Sequence, residues 1–243
     1  MTTPPLRATG SASGPADHHC VRRVQSFDEL VTTRFANGVN ALCWERTLPG
    51  DFAEIAASID SDDAIITLDE ARLHSLSVSA AGRAAIGVLL ADLQLLRDRN
   101  LDPVLNCING YPRDEEAEVV PTDVFSFHAD RAPVEAYTYL CTYHGPASEG
   151  LQNEDAQRRV DLPETRARLL KEYGGHDDDG FREFLADHCY DLHYAPKAGA
   201  RPYSFGLGNL WRIAIEYPDS PVPPCVHRAP ATRPGERRLL LIS

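Results

Sequence analysis

The hydrophobic pattern of this 243-residue chain changes period near Asn100, and that change restricts the fold more than any other feature. Upstream, apolar residues recur at helical spacing. Phe27-Asp28-Glu29-Leu30, Phe52 to Ile59 and above all Ala80 to Arg99 read as helices; in the last, Ile86, Leu89, Leu90, Leu93 and Leu96 stripe one face at intervals of three and four. Downstream, short β-branched and aromatic runs at Val104 to Ile108, Val124 to His128, Tyr137 to Tyr143, Leu210 to Tyr217 and Arg238 to Ile242 are punctuated by Gly, Pro and Asp. Helices first and strands afterwards predict an α+β protein, with a helical layer over about 26–100 and strands over about 101–243 that form a sandwich or barrel of their own. Residues 163–190 return to a helical pattern and read as an insertion between strands. Residues 1–17, rich in Pro, Gly, Ser, Thr and Ala, are predicted to be a flexible tail, which leaves 18–243 as one domain.

Charge narrows the partners. With 24 basic against 36 acidic side chains the formal net charge is -12, and no Lys/Arg-rich tract opposes it, so nucleic acid is not expected as a partner. The chain has no apolar stretch of about 18 residues and no secretory leader pattern, which predicts a soluble, cytoplasmic protein that does not enter a membrane. Its six cysteines contain no Cys-x-x-Cys pair and read as reduced thiols. Oligomeric state leaves no signal in the pattern.

In VFSFHADRAP (residues 124–133), His128 and Asp130 stand two apart at the end of a strand-like run. Residues i and i+2 of a strand project to one side, so an imidazole and a carboxylate there are able to share one cation. A second His-x-Asp, His176-Asp177-Asp178, lies in a Gly-flanked polar cluster where an Asp run normally starts a helix. In DHCYDLHY, His188 and His193 are five apart and diverge by about 140° if the segment is helical. His128 and Asp130 differ from these in having two downstream companions: His227 after a Pro-rich turn, and Arg238 eleven residues later at the start of a terminal strand. Taken singly, each of the four has an ordinary structural role, and only their order is informative.

This order and spacing resemble the Fe(II)/2-oxoglutarate-dependent dioxygenases, whose pattern is His-x-Asp, a long gap, His, and a basic residue about ten positions on. The resemblance spans residues 104–243. It implies a double-stranded β-helix (jelly-roll) beneath the helical layer and an oxidoreductase that uses Fe(II), 2-oxoglutarate and O2 to oxidise, most simply to hydroxylate, a small organic substrate. Two imidazoles and a carboxylate on one face of iron leave three coordination positions open. By the same resemblance His128, Asp130 and His227 are the metal ligands. Arg238 is the cation for the far carboxylate of the co-substrate, where a planar fork gives two charge-assisted hydrogen bonds. Because residues 239–242 are all apolar, periodicity leaves Arg237 open as the alternative.

Asn109 and Tyr111 in NCINGYPRD resemble the Asn-x-Tyr strand of the nucleic-acid-demethylating branch and are expected near the co-substrate, as is Tyr139 from the stripe Tyr137, Tyr139, Tyr143. Trp211 and Arg212 are candidate substrate contacts. TYLCTYHGPASEGL and HRAP…RRLLLI also look like a bacterial family of unknown function. The rival reading keeps the three ligands but not the redox chemistry: a cupin-like metal protein, an isomerase or a zinc-homeostasis factor.

Overall fold

A computed structural model describes residues 18–111, 119–233 and 235–243; the predicted tail at 1–17 lies outside them. The chain runs through β1 (Val21–Val24), α1 (Phe27–Thr32), β2 (Ala41–Trp44), α2 (Phe52–Ala57), β3 (Ile65–Thr67), α3 (Glu70–Ser75) and α4 (Ala80–Arg97). It continues through β4 (Val104–Ile108), β5 (Phe127–His128), β6 (Tyr137–His144), β7 (Glu149–Leu151), β8 (Ala156–Arg158), α5 (Pro163–Tyr173) and α6 (Asp179–Asp187). The last elements are β9 (His193–Pro196), β10 (Tyr203–Ser204), β11 (Leu210–Ala214), β12 (Val226–Arg228) and β13 (Arg238–Ile242). The result is a mixed α/β structure of two largely antiparallel sheets, compatible with a β-sandwich. A seven-stranded sheet has the order β1-β2-β11-β6-β13-β4-β3 and a six-stranded sheet the order β10-β7-β12-β5-β9-β8.

The helices begin where side chains satisfy their first amides: Ser26 accepts from the Glu29 amide, Asp51 from Glu54, Asp69 from Arg72 and Ser79 from Gly82. The stripe on α4 faces inward as expected, with Ile86, Leu89, Leu93 and Leu96 buried and Leu90 half-buried. Its hydrophobic partners are Leu105, Cys107, Tyr139, Cys141, Tyr143, Leu239 and Leu241 on one face of the larger sheet. The other face of that sheet, with Ile108, Leu140, Trp211, Ile213 and Leu240, packs against Tyr203, Phe205 and Cys225 and fills the space between the sheets.

One expectation is corrected. The strands do not form a layer of their own, because β1, β2 and β3 from the helical half join the larger sheet at its two ends. They are three or four residues long, and VRRV carries two arginines, so no period of two is visible over their length. The insertion at 163–190 is helical as expected. Its Asp178 caps α6 through the Phe181 amide, while Asp177 pairs with Arg166, so the second His-x-Asp is accounted for structurally.

Candidate metal centre

Asp123 makes the turn that leads into β5. Its carboxylate accepts the amides of Phe125 and Ser126, and two residues later the chain is extended and paired on both sides. Past β5, the Ala129 amide donates to the Leu192 carbonyl and the Asp130 carbonyl accepts the Glu216 amide. The His-x-Asp segment is therefore tied to two separate parts of the fold before any metal is considered.

His128 and His227 are orientated by the same local device. Nδ1 of His128 lies 2.8 Å from the Ser126 carbonyl and Nδ1 of His227 lies 3.3 Å from the Cys225 carbonyl, in each case two residues back. A carbonyl only accepts, so each Nδ1 carries the proton and each Nε2 keeps its lone pair for the site. Those Nε2 atoms lie 4.0 Å and 3.8 Å from the Asp130 carboxylate, and the two rings are 4.6 Å apart. One ligand atom from each of the three residues falls within 4.8 Å of the others. A cation held at roughly 2.1 Å from every donor requires donor separations of about 3 Å or slightly more, so side-chain movements of about 1 Å close the triad.

Protonation also suits a cation. Burial, followed by the neighbouring His227, lowers the pKa of His128 to about 4, leaving a neutral imidazole at neutral pH. Burial alone would raise Asp130, but the facing His227, the Thr138 hydroxyl that donates to its Oδ2 at 2.6 Å, and His128 outweigh it and hold the carboxyl below its usual range. A neutral imidazole and an ionised carboxylate are the forms a divalent ion needs.

The register of the smaller sheet sets these groups in a rank. Tyr203 on β10 is opposite Gly150 on β7, Gly150 opposite His227, His227 opposite His128, and His128 opposite His193 on β9. Directly opposed residues share a face, and the next residues along form the other face, where Phe127, Leu151 and Val226 cluster with Tyr194. At Gly150 an added methyl would lie 2.3 Å from the Tyr203 ring, so only glycine leaves room for that ring beside His227. His193 is buried, its ring 5.7 Å from that of His128, with no hydrogen-bond partner at Nδ1 among the described residues.

Sequence reasoning passed over His193 because it weighed that residue only as a partner of His188, from which it diverges if the segment is helical. The helix stops at Asp187, Cys189 adopts a left-handed φ of 57°, and His193 opens a strand. Thr138 was also missed; nothing in the pattern of β6 marks it.

No known protein family, curated protein or solved structure matches the chain.

Arg238 is fully buried, and no carboxylate among the described residues pairs with it. Its guanidinium donates to the Pro146 carbonyl (2.8 Å), the Tyr111 hydroxyl (3.3 Å), Thr142 Oγ1 (3.4 Å) and Ser148 Oγ (3.0 Å). Burial lowers its pKa, which Tyr111 partly offsets. Arg237 points the other way and donates to the carbonyls of Ala56 and Ile59 at the end of α2.

Tyr111 thus joins Arg238, but the remaining candidates are elsewhere. The Asn109 amide holds the carbonyls of Ser61 and Asp63, in the loop before β3. Tyr139 lies in the cluster beneath the helices, on the face away from the space between the sheets; neighbouring Tyr143 there donates to Asp92 of α4, itself paired with Arg46. Arg212 shares that face, donating to the carbonyls of Leu30, Val31 and Thr33 with its guanidinium 3.8 Å from the Tyr137 ring centre. It closes the end of α1. Trp211 faces the space between the sheets, stacked on Phe205 at 4.3 Å and donating to the Phe205 carbonyl.

In front of His128 and Asp130 opens a cavity of about 890 Å³ whose wall includes Val124, His193 and Tyr217.

Proposed function

We propose that the chain is a non-haem Fe(II)/2-oxoglutarate-dependent oxygenase that oxidises a small organic molecule in this cavity. The observation that carries the reading is Arg238, a fully buried guanidinium with no carboxylate partner among the described residues, in a structure that also brings two histidines and an aspartate into one ligand set. An uncompensated buried cation costs several kcal/mol, a cost that an incoming carboxylate offsets. His128, Asp130 and His227 would hold the iron, Arg238 with Tyr111, Thr142 and Ser148 would hold the far carboxylate of the co-substrate, and bound iron would supply dioxygen activation at the positions the three ligands leave free.

The strand order supports the jelly-roll part of this reading. From β4 to β7 the chain alternates between the sheets, and from β10 to β13 it does so again; β11-β6-β13-β4 lie together in one sheet and β10-β7-β12-β5 in the other. Strands β8 and β9 extend the smaller sheet beyond β5, and β1, β2 and β3 extend the larger.

A second reading has the donor set in its favour, since two imidazoles and a carboxylate also suit zinc. It is a cupin-like metal protein without redox chemistry. Anaerobic addition of Fe(II) and 2-oxoglutarate separates them. The oxygenase reading expects a weak visible charge-transfer band that needs both additions and is lost in Arg238→Gln. Tight zinc binding with no such band would overturn it in favour of the second.

A further inference from the structure

The cavity wall carries information about what enters it. Val124, Ala129, Ala132, Pro133 and Leu192 make most of it apolar. Among the described residues its charged members besides Asp130 are Arg131 and Glu216, and these are engaged with each other: Arg131 Nε and Nη2 donate to the same Glu216 oxygen at 3.1 Å and 2.7 Å, and Nη2 also meets Asp191. Among the described residues the wall therefore offers no free cationic side chain to a carboxylate or phosphate, and its Glu216 is already paired. With Asp130 engaged by a metal, desolvating a charged ligand against these side chains would go uncompensated.

His193 differs from the rest of the wall. It is buried, fixed on β9 between β5 and β8, and neither ring nitrogen hydrogen-bonds any described residue. Nδ1 is sealed from solvent while the residue lines the cavity, which leaves Nε2 as the ring nitrogen able to serve a ligand there. Cys189, also in the wall, adds only a weakly hydrogen-bonding thiol. A buried imidazole without a partner, one strand from a candidate metal ligand, is a hydrogen-bonding group held ready for something absent from the folded chain.

We propose that the substrate of the oxygenase described above is an uncharged, largely apolar organic molecule, and that His193 fixes its orientation by hydrogen-bonding its one hydroxyl or carbonyl group. His193 is then a positioning and specificity residue. This assignment rests on the oxygenase reading for the reaction, but its binding chemistry is testable without turnover.

The test is a cycle in both ligand and protein, read by calorimetry or ligand-observed NMR on metal-free and Zn(II)-loaded protein. The probes share one apolar body: phenylpropanol, propylbenzene, phenylpropanoate and phenylpropylamine. The alcohol is expected to bind about five- to tenfold more tightly than propylbenzene, the worth of one neutral hydrogen bond, and more tightly than the anion and the cation. His193→Phe should erase the alcohol's advantage while leaving propylbenzene unchanged, and His193→Gln should restore part of it. Zn(II) should still bind at one ion per chain in both variants.

Equal binding of alcohol and propylbenzene by the unaltered protein, or a preference for the anion or the amine, would overturn the proposal whatever the variants do. So would an alcohol advantage that survives in His193→Phe. Failure of the oxygenase reading shows separately, as absence of the Fe(II)/2-oxoglutarate band while the probe cycle still reports on the cavity.

Discussion

Arg237 and Arg238 are adjacent in the chain and serve opposite faces of one sheet. Arg237 closes the last turn of α2 through the carbonyls of Ala56 and Ile59, whereas Arg238 is sealed among Tyr111, Thr142, Ser148 and the Pro146 carbonyl. Arg238→Gln is expected to weaken 2-oxoglutarate binding by about 30- to 1000-fold, the worth of a charge-assisted contact of roughly 2–4 kcal/mol, with metal affinity nearly unchanged. Arg237→Gln should leave the co-substrate alone and cost stability of about 1 kcal/mol, through the helix end it closes. Calorimetric titration and urea unfolding of the two variants check this; a co-substrate defect in Arg237→Gln alone would contradict it.

Thr138 donates to the carboxylate oxygen of Asp130 that lies nearer His227. Thr138→Val keeps the β-branched shape and removes that bond. Metal affinity is expected to fall about 10- to 100-fold, as is usual when a ligand loses the group that orients it, while His128→Ala or His227→Ala should abolish stoichiometric binding. Circular dichroism should remain native in all three, and full metal occupancy in either alanine variant would remove that histidine from the ligand set.

Stability of the metal-free protein should depend on pH through His193. Burial, reinforced by Arg159, lowers its pKa from 6.5 to about 4. The unfolded chain therefore binds a proton that the folded chain refuses between those values, so stability falls as pH drops through the window and levels off below it. The loss from pH 7 to pH 5 is expected to be about 2 kcal/mol for this residue, with His128 acting in the same direction. Urea midpoints at the two pH values should draw closer together in His193→Phe, leaving the part due to His128; an undiminished pH slope would mean that His193 is not the cause.

Gly150→Ala should be costly although it adds one methyl group. The methyl meets the Tyr203 ring, and Tyr203 is boxed in by His18, Phe205 and Cys225. Overpacking of this kind costs about 1–3 kcal/mol, and because Gly150 is paired with His227 the disturbance should also weaken metal binding. Thermal unfolding with and without Zn(II) measures both effects, and a variant as stable as the parent would show that Tyr203 moves freely.

How far the sequence could be read depended on length and on which face was at issue. The strands Val104–Ile108 and Arg238–Ile242 have the bounds their composition suggests, and α4 shows its stripe. Strands of two to four residues, such as β5, β7 and β12, are too short to show a period, and they carry or support the candidate ligands. The choice between Arg237 and Arg238 was illegible because β13 is covered on both sides: Leu239 and Leu241 pack under the helices and Leu240 between the sheets, so no polar residue marks a face. Tyr139 and Arg212 were read toward the site because a tyrosine stripe and an arginine beside a tryptophan carry no sign of which face is covered by helices.

The two-residue strand β5 lies between β12 and β9, and the rings of His128 and His227 are latched to carbonyls of their own chain. The candidate ligands are thus positioned by the folded chain itself, so an ion bound at the proposed site would be a late arrival rather than a nucleus. If that site takes a metal, it should empty and refill with the chain intact, and the ion it holds would be set by the supply around the finished protein and by the fit of the pocket, not by which ion was present when the chain first folded.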